Sequence, residues 1–240
     1  MPNSPEPRPI MVIGGWGFDA DSLSTALSPL KAELPAAYRF EMISFSDASA
    51  QASDEHFSAS LLNAKAVIGW SAGGVLAQEI FLKNQIEVGS EIDLSRLPQL
   101  VLVSSTLEFC HPETGTPPKV LRAMQLGLRK APEEVLNAFA SLCGLSESLD
   151  IQLQSTDPDA LKVGLSFLAE SNLSQSLPLL TAPLVVHGGQ DKVIGLAAGE
   201  RLAAHHNASL AVIPEATHCL IIEHAKELAK LIRSRLVEST

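Results

Sequence analysis

The chain has 240 residues, enough for one α/β domain with an insertion. Hydrophobic residues make up 46% of it, which provides a sizeable core and excludes a disordered chain. Its 17 Lys and Arg against 27 Asp and Glu leave a net charge of −10, which argues against general nucleic-acid binding. Cys110, Cys143 and Cys219 show no Cys-x-x-Cys spacing, and their odd number suits a reducing compartment better than a disulfide framework. Residues 1–9 lack the basic start and apolar core of a signal peptide, and no run approaches the roughly 18 apolar residues of a membrane helix. These features predict a cytoplasmic protein with no membrane or nucleic-acid partner, and a monomer is the expectation taken with them.

In chain order, Pro9 to Ile13 is a buried strand ending in the loop Gly14-Gly15-Trp16-Gly17. Asp19 or Asp21 caps a helix that runs to about Leu34, before Pro35. Arg39 to Phe45 is a second strand, Ser46 to Ser53 a loop of small residues, and a short helix follows to Asn63. Ala64 to Ile68 is a third strand, and a helix covers about Ala72 to Asn84. Gln99 to Ser104, Pro183 to His187 and Ser209 to Ile213 are further apolar strands, and Leu220 to Leu236 is a closing helix. Apolar runs that alternate with helices imply a mainly parallel sheet of about six strands, covered on both faces. From Ser105 to Leu177 no strand is evident, and helices begin at Pro117, Pro132 and Asp157-Pro158. The core is therefore 1–104 with 178–240, and 105–177 is a helical insertion over the strand ends, a candidate lid.

Between the third strand and its helix lies Gly69-Trp70-Ser71-Ala72-Gly73, a Gly-x-Ser-x-Gly turn. Such a turn holds a serine in strained backbone at the strand's carboxyl end, with glycines where a Cβ would collide with neighbours. A serine hydroxyl is a weak nucleophile until an oriented base takes its proton. Asp191 follows the fifth strand and His218 the sixth, which brings Ser71, Asp191 and His218 to one edge of the sheet as a catalytic triad. Taken alone, Asp191 is as readily a helix cap and His218 a surface histidine. Glu215 is a rival carboxylate in the histidine's own loop. The backbone amides of Trp16 and Ala72 are the candidate oxyanion donors, although Gly14 to Gly17 also reads as a plain tight turn. His205 and His206 read as solvated and His224 as structural, and Cys219 reads as packing. No metal, redox or nucleotide cofactor is implied.

These residues resemble the α/β-hydrolase superfamily, and within it the pimeloyl-acyl carrier protein methyl ester esterases of biotin synthesis. Gly15-Trp16-Gly17, Gly69-Trp70-Ser71-Ala72-Gly73-Gly74 and Asn172-Leu173-Ser174-Gln175-Ser176-Leu177 carry the closer match. The chain departs at Gly14, where many relatives have histidine, at Gly195, where they have proline, and in lacking extra leading strands. The resemblance implies an α/β-hydrolase fold and a serine esterase that cleaves the methyl ester of an acyl chain held on an acidic carrier protein. It also implies that Trp16 and Trp70 pair around the oxyanion hole and contact substrate. Lys119, Arg122, Arg129 and Lys130 fall within roughly a 100° arc of one helix, opposite Val120, Leu121, Met124 and Leu128. That stripe is either a carrier-docking face or an ordinary solvated one. A small-ester carboxylesterase with no carrier partner and a non-catalytic hydrolase-fold binding protein are the other readings. A serine-triad lyase uses the same three residues.

Overall fold

The computed structural model describes residues 8–36, 38–88, 93–145 and 157–237. Six strands form one sheet: β1 (Ile10–Ile13), β2 (Phe40–Ile43), β3 (Ala66–Trp70), β4 (Gln99–Val103), β5 (Leu184–Gly188) and β6 (Ser209–Ile213). Their order is β2-β1-β3-β4-β5-β6, and every neighbouring pair is parallel. The first strand lies one in from an edge, β2 takes that edge, and the later strands build outward to the other. All residues of β1, β3 and β5 are buried, as expected for strands covered on both faces. This is why they read as unbroken apolar runs rather than alternating ones.

Helices α1 (Ala20–Ala26), α2 (Ser28–Glu33), α3 (Phe45–Ala50), α4 (Glu55–Leu62) and α5 (Ala72–Val88) lie between β1 and β4. Between β4 and β5 come α6 (Pro118–Leu128), α7 (Pro132–Cys143) and α8 (Pro158–Glu170). Then follow α9 (Leu196–His205), α10 (Leu220–Glu223) and α11 (Ala225–Val237). Residues 146–156 of the expected insertion lie outside the described residues. Among the described residues, no helix is long and apolar enough to cross a membrane.

Three local expectations are corrected. The first helix is two, because Pro29 supplies no amide to continue the ladder and starts α2 in its first turn. The supposed loop after β2 contains α3: the Ser44 hydroxyl accepts from the Asp47 amide, and Asp47 Oδ2 accepts from Ser44 Oγ at 2.6 Å. The closing helix is interrupted at His224, which ends α10.

His206 is buried rather than solvated, at 1% exposure. Its Nδ1 accepts from the Leu179 amide (3.2 Å), and its Nε2–H donates to Gln78 Oε1 (3.0 Å). Gln78 Nε2 in turn reaches the carbonyls of Gly74 and Thr106. Protonating Nδ1 would set a second N–H against that of Leu179. Burial, with the neighbouring His205, lowers the His206 pKa from 6.5 to about 4. The folded value lies below the unfolded one, so this stability is complete above pH 6.5 and is lost as pH falls toward 4. Thermal midpoints should therefore drop between pH 7 and 4.5, and the drop should be smaller in H206Q. An equal drop in both would refute the assignment.

Candidate active site

Ser71 stands between β3 and α5 with φ of 55°, a left-handed conformation costly for a residue with a side chain. The turn is held from both sides. The Ser71 amide donates to Val103 O (2.9 Å), and its carbonyl accepts from the Gly74 amide and Ser105 Oγ, each at 3.0 Å. A Cβ on Gly69 would lie 2.6 Å from Gly74 Cα, and one on Gly73 would lie 2.4 Å from the carbonyl oxygens of Ile13 and Gly14. Only glycine permits β1, β3 and α5 to close so tightly around the serine.

Asp191 lies in the turn after β5. It does not cap α9, whose N-cap is Gly195 without a side-chain bond. Its Oδ1 instead accepts the amides of Val193 and Ile194, each at 2.9 Å, which aims Oδ2 at His218 Nδ1–H, 2.8 Å away. His218 Nε2 is 2.9 Å from Ser71 Oγ. With Nδ1 donating to the carboxylate, Nε2 is the free acceptor for the serine proton. Burial pushes the Asp191 pKa up, but the charge and hydrogen bond of His218, the Ile194 amide and His187 outweigh it and leave the carboxyl below its ordinary range. Asp191 thus stays ionised although only 8% exposed. The rival Glu215 is exposed.

The loop 14–17 packs on this turn: a Cβ on Gly15 would lie 3.2 Å from Ser71 Cβ. Among the described residues, the backbone amides of Trp16 and Ala72 donate to no protein acceptor, so both remain available to a ligand oxygen. The two tryptophans occupy different places. The Trp16 indole N–H donates to Leu161 O of α8 (2.8 Å), and its ring meets Phe139 of α7 edge-on at 4.9 Å. Trp70 is wholly buried against Phe18 (4.6 Å) and donates to the His218 carbonyl (3.0 Å). The expectation that Trp70 contacts substrate is therefore corrected. As the last residue of β3 its side chain lies behind the serine, where it supports the histidine loop.

A cavity of about 70 Å³ opens onto Ser71 between Trp16, Met124, Phe139, Leu165 and Lys192. A larger recess of about 280 Å³, at Phe81, Leu97 and Leu179, shares no residue with it and holds no nucleophile beside a base. Lys119, Arg122, Arg129 and Lys130 are all exposed on or just after α6. Opposite them Leu121 and Leu128 are buried, whereas Val120 is 41% exposed.

Several neighbours escaped sequence reasoning. His187 Nε2–H donates to Ile194 O (2.8 Å) and closes the Asp191 turn, with burial holding its pKa low and the ring neutral. Lys192, beside Asp191 in sequence, faces the cavity. Cys143 and Cys219 lie 76 positions apart, and the neighbouring Cys219 thiol together with burial pushes the Cys143 thiol far up. Among the described residues, Glu215, His224 and Glu227 place donor atoms within 4.8 Å of one another and form a group that could hold a metal ion. Its His224 Nδ1 and Glu227 Oε2 are already hydrogen-bonded at 2.6 Å.

Comparison with known proteins gives the family and the fold. A sequence model of the Alpha/beta hydrolase family matches residues 10–231, and the chain belongs to that family. It is 27% identical over 172 residues to the pimeloyl-[acyl-carrier protein] methyl ester esterase of Pectobacterium atrosepticum, covering 65% of this chain and 64% of that protein. The chain thus spans less than two thirds of that relative's length. It is 22% identical over 241 residues to the enzyme of the same name from Aliivibrio salmonicida, covering 91% and 88%. Among solved structures, an esterase from Exiguobacterium antarcticum is similar with a TM-score of 0.72 at 18% identity, covering 95% of this chain and 91% of that one. A bromoperoxidase from Bacillus anthracis has a TM-score of 0.73 at 18% identity, covering 97% and 92%. At these identities the solved structures speak for the fold alone.

Proposed function

We propose that the protein is a serine esterase and that its substrate is the methyl ester of a pimeloyl chain carried on an acyl carrier protein. The observation that carries the esterase reading is the unbroken relay Ser71 Oγ–His218 Nε2, His218 Nδ1–Asp191 Oδ2, at 2.9 and 2.8 Å. His218 takes the Ser71 proton as Oγ attacks the ester carbonyl, and Asp191 stabilises the imidazolium. The Trp16 and Ala72 amides receive the oxyanion. His218 then protonates the departing methoxide, and methanol leaves. Water, deprotonated by the same histidine, releases the acid and restores Ser71.

The substrate class rests on the named relatives and on the insertion. The cavity of about 70 Å³ is well below the roughly 300 Å³ at which ligand pockets usually begin, so a long acyl chain requires its walls to part. Val120, Met124, Phe139 and Leu142 form both its outer wall and the floor of an open apolar groove of about 380 Å³ between α6 and α7. In this reading residues 105–177 act as a lid, the acyl chain passes between those helices, and the basic face of α6 meets the acidic carrier. The enzyme works as a cytoplasmic monomer.

The deciding measurement is methanol release from a panel of methyl esters, carrier-bound and free. Higher kcat/KM on the carrier-bound pimeloyl ester than on free methyl pimelate and methyl butyrate is expected. Equal or lower values would favour a small-ester carboxylesterase, and no methanol from any ester would remove the esterase reading.

A further inference from the structure

Two of the helices inserted between β4 and β5, α7 and α8, are bonded to the loops that carry the candidate chemistry. The Trp16 indole, on the oxyanion loop, donates to Leu161 O of α8. The end of α7 is tied to the His218 loop still more closely. Gly144 ends α7 in the left-handed conformation (φ 85°), and the Leu145 amide turns back to Ala140 O (3.1 Å). Such an ending leaves the last carbonyls without partners in the helix. The carbonyl of Cys143 finds its partners on either side of His218: Thr217 Oγ1–H donates to it at 2.9 Å, and the Cys219 amide at 3.2 Å. The fit allows no slack, because a Cβ on Gly144 would lie 2.5 Å from Thr217 Oγ1. Among the described residues, α6 by contrast makes no side-chain hydrogen bond to the sheet or its loops. Its Gln125 reaches only Ser166 of α8 (3.0 Å).

We infer that Thr217 is a positioning residue, whose hydroxyl fixes the end of α7 to the histidine loop and so sets where His218 stands relative to Ser71. Phe139 and Leu142 of the same helix line the cavity, so one helix both walls the pocket and holds the base. Thr217 has one proton and two acceptors, since Glu223 Oε2 lies at 2.8 Å. When Glu223 takes that proton, the Cys219 amide, 3.2 Å from both Cys143 O and Thr217 Oγ1, remains as a tie. The inference rests on the triad reading, in which His218 is the base. A displacement of about an ångström at His218 Nε2 would break its hydrogen bond to the serine, and rate is steeply sensitive to such misplacement.

The test compares T217V, T217S and the wild type on a short p-nitrophenyl ester, with the rate of fluorophosphonate labelling of Ser71 as a second readout. T217V should lower kcat by about tenfold or more while KM changes by less than about twofold. Labelling should slow in proportion, and T217S should stay within about twofold of wild type in both. Wild-type kcat and labelling in a folded T217V, or equal impairment of T217S and T217V, would overturn the inference. Should T217V fail to fold, G144A strains the same contact from the α7 side and must show the same loss of kcat. Failure of the triad reading looks different, since wild-type protein would then show no Ser71 labelling at all.

Discussion

Replacing Ser71 by alanine is expected to lower kcat/KM on p-nitrophenyl esters by about four orders of magnitude or more, with no loss of folded protein. The size follows from the geometry. His218 Nε2 has Ser71 Oγ as its partner at 2.9 Å, and removal of that oxygen leaves only a bound ester beside two amide donors. The same change relieves the turn of nothing structural, because Ser71 is anchored through its amide and carbonyl rather than its hydroxyl. D191N should lose about three to four orders in kcat. An amide cannot receive the imidazole proton while also accepting both backbone amides, so the wrong tautomer would face Ser71. E215Q should stay near wild type. S71A with wild-type hydrolysis and no fluorophosphonate labelling in the parent enzyme would sink the mechanism. Large loss in E215Q with little in D191N would transfer the carboxylate role to Glu215.

The residues of this site could be read in the sequence because each follows a strand: β3 and β5, buried throughout, are unbroken apolar runs, and β6, a partly exposed edge strand, is still mostly apolar. Val67-Ile68-Gly69, Val185-Val186-His187 and Ala211-Val212-Ile213 fix where Ser71, Asp191 and His218 fall, since parallel strands deliver their next residues to one edge. Local chemistry was harder to read where the signal is polar. Ser44 and Asp47 have the spacing of a helix cap, but the Ser- and Ala-rich stretch around them has the composition of a loop. His206 could not be told from a surface histidine, because the partner that buries it, Gln78, is 128 positions away. The same holds for Thr217 and Cys143, 74 positions apart. The resemblance places Trp70 beside Trp16 at the oxyanion hole. The direction of a side chain on β3 decides otherwise and sends it behind the nucleophile.

Reversing the charge of Lys119 and Arg122 together should lower kcat/KM for a carrier-bound ester by about tenfold to a hundredfold while leaving a free short ester within about twofold. Both side chains are exposed, and among the described residues neither has an acidic partner within 4.0 Å. Arg129 is a poorer choice. Asp159 of α8 is held below its usual range chiefly by its hydrogen bond to Lys162 and by the charge of that lysine, with Arg129 also contributing. An acidic residue at 129 would face that carboxylate and disturb α6 against α8 for reasons unrelated to docking. Long-range attraction sets how often an acidic carrier meets this face in a productive orientation, so the loss belongs in kcat/KM. It also has a salt signature. In the wild type the carrier-bound rate should fall as ionic strength rises from about 0.01 to 0.15 M, where the screening length shrinks from about 30 to 8 Å. In K119E/R122E that dependence should vanish or invert. A double variant that is equally active on both substrates, with unchanged salt dependence, would reduce the basic stripe to a solvated helix face. The esterase would remain, but its selectivity would have to come from the cavity, whose lining includes Lys192.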